Sequence, residues 1–223
     1  MTSVGIRTPQ DPSLRGGDVF DTYERSDGSV SVLIADVSSK GIRGIAKAEM
    51  LRNAFRRVAR REDRPSYIMA ELNRLPFNGS DLRRCVTFAS AVVATISRAT
   101  QMLCYASAGH DAALIVQGRR HGHLAPTGPI IGIMPGASFA DKYARFGTTD
   151  LLLLATDGFT ECRNEADRET QFGTTGIIRA LGTNPHRSYR SACRAVVHLA
   201  DVFTGGSYRD DATLAVIARC NEL

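Results

Sequence analysis

Apolar, strand-like stretches over about 17–24 and 30–36, with the polar turn Arg25-Ser26-Asp27-Gly28 between them, predict a β-hairpin. From Lys40 to about Glu62 the pattern changes. Leu51, Phe55, Val58 and Ala59 recur at helical spacing, which predicts an amphipathic helix. A shorter helix is expected at about 66–75, because the fixed φ of Pro65 suits a first turn and not a helix interior. The runs CVTFASAVVATIS (85–97), MLCYASAG (102–109) and AALIVQ (112–117) are rich in β-branched and apolar residues. Turn-like RATQ and Gly109-His110-Asp111 separate them, as in a meander of antiparallel strands. Gly128 to Gly136 reads as a loop. LLLLAT (151–156), apolar up to its last residue, reads as a strand covered on both faces. Helical pattern returns at about 173–182 and 186–203. In the second of these Asn184 can cap, Pro185 fits the first turn, and Gly205-Gly206 ends the helix. ATLAVIARC closes the chain as a strand. Helices grouped in pairs between runs of strands favour a layered α+β sandwich over alternating βαβ units. With no repeat, low-complexity tract or linker, residues 1–223 read as a single domain.

Composition narrows the class. Apolar residues make up 43% of 223, enough for a full core. The opening segment lacks the apolar stretch of a signal peptide, and LLLLA is too short to span a bilayer. Five cysteines without a Cys-x-x-Cys pair exclude a disulfide framework and a zinc ribbon, so a reducing cytoplasm is the expected compartment. Cys85, Cys104 and Cys220 sit in strand-like runs as small buried hydrophobes. The net charge of +5 comes from arginine, most densely at Arg52, Arg56, Arg57, Arg60 and Arg61. The cluster shares its helix with an apolar face, brings Phe55 alone among aromatic residues and that on the apolar side, and carries no nucleic-acid-binding motif, so nucleic acid is not the expected partner.

The chemistry lies in four short acidic motifs: Gly16-Gly17-Asp18, Ala35-Asp36-Val37-Ser38-Ser39-Lys40-Gly41, Ala155-Thr156-Asp157-Gly158 and Arg209-Asp210-Asp211-Ala212-Thr213. Three of them adjoin strand-like runs, and a strand end fixes a carboxylate in direction. Converging carboxylates repel one another unless cations hold them, and aspartate oxygen suits Mg²⁺ or Mn²⁺. The first reading is therefore a carboxylate-built metal centre.

In order and spacing, GGDVFD (16–21), ADVSSKG (35–41), YASAGHDAALIV (105–116), ATDGFTE (155–161) and RDDATLAVI (209–217) resemble the metal-dependent PPM serine/threonine phosphatases, in particular their bacterial SpoIIE-like branch. The resemblance runs from Gly16 to Ile217. It implies a four-layer α-β-β-α sandwich: two antiparallel sheets face to face, each flanked by a helix pair. It also implies two Mn²⁺ or Mg²⁺ ions bridged by a hydroxide that attacks phosphorus, so no side-chain nucleophile is needed. Carried over residue by residue, Asp36 bridges both ions and the Val37 carbonyl binds one of them. Asp157 and Asp210 bind the other, and Asp18 is a ligand, direct or through a water. Asp211 and Asp21 are candidate acids behind these ligands.

Two departures stand out. Ser39 occupies a position often held by glycine, and the wider family's phosphate-gripping arginine near the N-terminus is commonly lacking in this branch. Arg15, Lys40 and Arg43 flank the metal motifs, and Lys40 ranks first as a phosphate contact because it lies in the metal loop. His110 is expected to fix its turn by hydrogen bonding and not to act as an acid. His121 and His123 form no site.

The implied function is hydrolysis of phosphoserine or phosphothreonine on a bacterial regulatory protein, such as an anti-sigma-factor antagonist or a stressosome component, with a separate activator protein as a further partner. Only fifteen residues precede the first motif, which favours a stand-alone feedback phosphatase without its own sensor, or one controlled by a separate partner docking on its helices. The alternative is a catalytically silent scaffold of the same fold, which loss of a ligand aspartate would have marked. Arg52, Arg56 and Arg60, at i, i+4 and i+8, are expected to form one exposed stripe for protein docking.

Overall fold

Among the described residues, the strand-forming segments assemble into two antiparallel five-stranded sheets. A computed structural model describes residues 2–9, 11–75, 87–182 and 188–219. In chain order the elements are β1 (Thr2–Arg7), β2 (Asp18–Glu24), β3 (Val30–Val37), α1 (Gly41–Ala59), α2 (Pro65–Asn73), β4 (Ala89–Ile96), β5 (Met102–Ala108) and β6 (Ala113–Gln117). There follow β7 (Arg120–His123), β8 (Lys142–Arg145), β9 (Leu151–Ala155), α3 (Asp157–Thr160), α4 (Gly173–Leu181), α5 (Tyr189–Thr204) and β10 (Ala212–Ala218). The sheets run β1-β10-β9-β6-β7 and β2-β3-β4-β5-β8. Contacts divide the chain into two compact units, each built on one sheet. The α+β class, the two antiparallel sheets and the helix pair beside each are as the sequence implies.

The unit of Gly16–Asp111 and Leu124–Phe146 carries the first hairpin. Its register, Asp18 opposite Asp36 through Glu24 opposite Val30, is set at the turn. There Asp27 accepts hydrogen bonds from the Ser29 N–H at 2.8 Å and the Ser29 hydroxyl at 2.6 Å, and Gly28 takes φ +76. Alternation sends Val19, Leu33, Ala35 and Val37 to the face that packs with Leu51 and Phe55 of α1 and with Ile68 and Leu72 of α2. Each of these side chains larger than alanine contributes about 1.5–3 kcal/mol through burial. Pro65 opens α2, and Asp141 caps it from across the unit, accepting from Ser66 N–H at 2.7 Å and Ser66 hydroxyl at 2.8 Å. Arg25, in the hairpin turn, donates to the Ala59 carbonyl at the end of α1, 2.6 Å away.

Asp21 belongs to this face and not to that of Asp18. They stand three positions apart, and the period of two turns Asp21 toward α1, where Arg56 grips it through Nε at 2.6 Å and a second guanidinium nitrogen at 2.9 Å. Asp21 is buried while Arg56 stays half-exposed. Arg52 pairs with Glu49, one turn back along α1. The arginine stripe is thus partly committed within its own unit, which helical spacing alone does not reveal. Arg56→Glu is expected to lower the thermal midpoint clearly more than Arg60→Glu, because reversal sets two carboxylates against each other beside the core. Equal shifts in a thermal melt would show that the pair carries no structural weight.

The unit of Met1–Arg15, Ala112–His123 and Gly147–Leu223 carries the second sheet. Leu151, Leu153 and Ala155 of β9 and Leu214 and Val216 of β10 pack with Ile177 of α4 and with Ala192, Val196 and Ala200 of α5. Helix α5 begins after Ser188, whose hydroxyl accepts from the Ser191 N–H at 3.2 Å, and it ends at Gly205 in the left-handed conformation. The expected cap Asn184 and first-turn Pro185 lie outside the described residues. So do Cys85 and Cys220; burial pushes the Cys104 thiol up to about 11 and the Cys162 thiol up to about 12, as inert thiols require. Among the described residues, no helix is long and apolar enough to cross a membrane.

Candidate metal centre

The four acidic motifs resolve into two pairs, one in each unit. In the first, Asp18 opens β2 and Asp36 stands directly opposite it near the end of β3. Two carboxylates in facing positions destabilise a ladder unless something neutralises them. The backbone before Asp18 closes tightly over the same spot. Gly17 takes φ +129, its carbonyl accepts from the Val37 N–H at 3.1 Å, and a Cβ there would stand 2.8 Å from the Val37 carbonyl oxygen and 3.1 Å from Asp36 Oδ1. Glycine is therefore required both by conformation and by space. One Oδ1 of each aspartate is buried. The Val37 carbonyl accepts from the Ser39 N–H at 2.5 Å, and a carbonyl has a second lone pair to offer. Among the described residues, no non-glycine residue has positive φ, so Ser39 sits without strain where the resemblance leads one to expect glycine.

Lys40 points back along its loop, with Nζ 4.0 Å from Asp36 Oδ1. On the other side of Asp36 the ladder places Ser90 opposite it, and a hydrogen bond of 2.9 Å joins Ser90 Oγ to His110 Nδ1. His110 is buried. Its ring ties the turn after β5 to β4, the positioning role expected of it.

The second pair sits where β9 and β10 end beside each other. Thr156 and Thr213 lock the two strands: the Thr156 N–H donates to the Thr213 carbonyl, and the Thr213 N–H donates to Thr156 Oγ1, each at 2.9 Å. Directly after Thr156 the chain turns into α3, with Asp157 exposed as its first residue. Asp210 and Asp211 lie just ahead of Thr213, with Ala212 between. The Asp211 N–H donates to Asp210 Oδ1 at 2.7 Å, which sets the direction of that carboxylate, and Asp211 itself is buried. Gly158 fits against this segment so closely that a Cβ would lie 2.0 Å from the Asp211 carbonyl oxygen. Asp157 and Asp210 line one cavity of about 240 Å³, together with Glu161, Arg163, Arg168 and Arg209.

The loop bearing Asp210 is anchored by residues that motif reading missed. Tyr208 donates to Asp201 of α5 at 3.0 Å, and the same carboxylate is gripped by Arg7 of β1 at 2.8 and 2.5 Å. The hydrogen bond from Arg7 holds the Asp201 carboxyl below the usual carboxylate range, and burial pushes the Tyr208 hydroxyl up. None of the three residues stands in an acidic motif, and Arg7 lies 194 residues from Asp201, so only tertiary structure identifies the set.

Among the described residues, no three His, Cys, Asp or Glu side chains gather tightly enough to hold an ion, and the acids stand as the two pairs just described. Each pair fits a small hard cation on its own terms. Its donors are all oxygen, it joins two like charges, and glycine lets the backbone close over it.

The fold has solved counterparts. The SiaA-PP2C domain of Pseudomonas aeruginosa superposes with a TM-score of 0.83 at 19% identity, over 98% of this chain and 86% of that one. RsbX, solved in complex with magnesium, gives a TM-score of 0.70 at 16% identity, over 96% of this chain and 92% of that one. In sequence, the chain is 25% identical over 177 residues to the phosphoserine phosphatase RsbU of Bacillus subtilis (strain 168). That match takes in 74% of this chain and spans about half the relative's length, 52%. The model of the family described as Stage II sporulation protein E (SpoIIE) matches residues 26–219, and the chain belongs to that family.

Proposed function

We propose that the chain is a metal-dependent serine/threonine protein phosphatase that acts on a phosphorylated regulatory protein of a sigma-factor pathway. The observation that carries this reading is the placement of all four motif aspartates at the ends of paired strands: Asp18 against Asp36, and Asp157 beside Asp210. Retention of every one of them argues against a silent scaffold. On this reading the whole chain works as one phosphatase domain in the cytoplasm, and a separate activator protein is a further partner.

Asp18, Asp36, the Val37 carbonyl, Asp157 and Asp210 would hold two Mn²⁺ or Mg²⁺ ions. Bound there, the ions supply hydroxide near neutral pH and offset charge on the phosphoryl oxygens. The chain's own contribution is orientation. The facing register fixes Asp18 and Asp36, the Thr156–Thr213 lock fixes Asp157, and the Asp211 N–H fixes Asp210. Asp211 would act from behind Asp210, and Lys40, whose Nζ lies 4.0 Å from Asp36 Oδ1, would meet a phosphoryl oxygen.

The test is hydrolysis of p-nitrophenyl phosphate and of phosphoserine peptides by protein stripped with EDTA. Turnover is expected to fall at least about 100-fold on stripping and to return with Mn²⁺ or Mg²⁺ but not with Ca²⁺, whose larger, looser coordination suits this chemistry poorly. Undiminished turnover after exhaustive chelation would remove the metal mechanism.

A further inference from the structure

We propose that the cavity beside Asp157 and Asp210 contains an anion subsite, formed by Arg168 and Arg209, that takes an acidic side chain flanking the phosphorylated residue of the substrate protein. The proposal rests on the phosphatase reading and adds to it the kind of sequence that this site prefers.

The cavity holds about 240 Å³ and its charged lining is Asp157, Glu161, Arg163, Arg168, Arg209 and Asp210. That volume is below the roughly 300–1,000 Å³ of ordinary small-molecule sites, so it suits one or two side chains better than a cofactor. The acids and the arginines serve different ends. With Asp157 and Asp210 committed to a cation, Glu161 alone opposes three guanidinium groups, and the rest of the cavity is positive.

The arginines are not equivalent. Arg163 is spent on its own loop, donating to the Arg168 carbonyl at 3.4 Å and the Glu169 carbonyl at 3.0 Å. Arg168 and Arg209 are exposed, and neither takes part in a salt bridge among the described residues.

Both ride on anchored backbone. The loop from Cys162 to Phe172 is closed by the Phe172 N–H donating to the Cys162 carbonyl at 3.0 Å and by a bridge between Arg163 and Gln171. Inside it, Asn164 Oδ1 accepts from the N–H groups of Ala166 and Asp167 at 2.9 and 3.0 Å. Asp167 accepts from the Glu169 N–H at 3.0 Å and from the Thr170 hydroxyl. Arg209 follows Tyr208, which Asp201 holds. Two long cations on fixed backbones beside the proposed reaction centre are placed to meet a neighbouring group of the substrate, and the planar guanidinium fork matches a carboxylate.

The test uses two phosphoserine peptides of equal length, one flanked by Asp and Glu and the other by Asn and Gln. Wild type is expected to prefer the acidic peptide about tenfold in kcat/KM, and the Arg168→Gln/Arg209→Gln variant to bring the ratio close to one. Single variants, each expected to lower the ratio about threefold, serve if the double variant does not fold. The ratio is read whatever the absolute rate, so slower turnover does not mimic the effect. A wild type without preference, or a double variant that keeps it, would overturn the subsite. Fluorescence anisotropy of the same labelled peptides in Ca²⁺, which is expected to neutralise Asp157 and Asp210 without restoring turnover, reads binding without turnover. If no phosphate ester is hydrolysed at all, the phosphatase reading fails, and anisotropy still decides the subsite. Tighter binding of the acidic peptide that disappears in the double variant supports it, and equal binding of both peptides by wild type rejects it.

Discussion

Asp157→Ala is expected to lower kcat/KM on p-nitrophenyl phosphate at saturating Mn²⁺ by at least about 10³-fold, while the thermal midpoint of the metal-free protein hardly moves. The kinetic part follows from the proposed work of the carboxylate. Removing one fixed charged partner of a transition state costs about 10²–10³ in rate, and here the same cut also loosens a metal. The stability part follows from position. Asp157 is exposed on the first turn of α3, outside the packed cluster that holds Phe159 and Leu153, and exposed substitutions usually stay within about 0.5 kcal/mol. Its removal also relieves repulsion from Asp210 across the shared cavity. Steady-state kinetics beside a circular dichroism melt separates the two effects. A near-wild-type rate would show that Asp157 is an ordinary turn aspartate. A large loss of stability would show that it supports the fold instead of the chemistry.

The parts of the structure that local sequence determines were legible before the fold. The β2–β3 hairpin was readable because two strand-like runs, the second almost continuously apolar, flank a polar Asp-Gly turn, and α2 because Pro65 marks its first turn. Strands with little to bury were not. Among the described residues, strand β1 pairs only with β10, at a sheet edge, and leaves Val4 and Ile6 substantially exposed. The residues of β7 are all exposed, so backbone pairing with β6 holds RHGH in place without an apolar signal. Helix α3, four residues long, is too short for periodicity to appear.

Within the site, the motifs placed each aspartate at a strand end but could not say which acids meet. Pairing of Asp18 with Asp36 needs the hairpin register, and proximity of Asp157 to Asp210 needs β9 beside β10. Asp21 is the instructive case. Its motif groups it with Asp18, yet an odd separation along a strand sends it to the other face, where Arg56, 35 residues away, takes it up. That much could have been read from the period alone.

Gly158 lets the two acidic loops press together. Gly158→Ala should destabilise the protein by roughly 1–3 kcal/mol and raise the Mn²⁺ concentration needed for half-maximal activity about tenfold or more. A methyl group at that position would stand 2.0 Å from the Asp211 carbonyl oxygen, 2.7 Å from its carbonyl carbon and 2.9 Å from the Ala212 Cα. All three atoms are backbone, so no rotamer change makes room. Moving the 211–212 backbone pulls against the Thr156–Thr213 lock and the β9–β10 ladder. The relaxation left open is to lift the start of α3 away, which carries Asp157 from Asp210. Packing strain and metal affinity should therefore change together.

Gly122→Ala is the control, because a Cβ on that exposed β7 residue meets nothing within 4 Å, and neither quantity should move. Loss of stability with unchanged Mn²⁺ dependence would mean that the acids are held independently of Gly158. A Gly158→Ala protein with wild-type stability and wild-type Mn²⁺ dependence would mean that the loops are looser than the geometry implies, and the account of how Asp157 and Asp210 are oriented would fail with it.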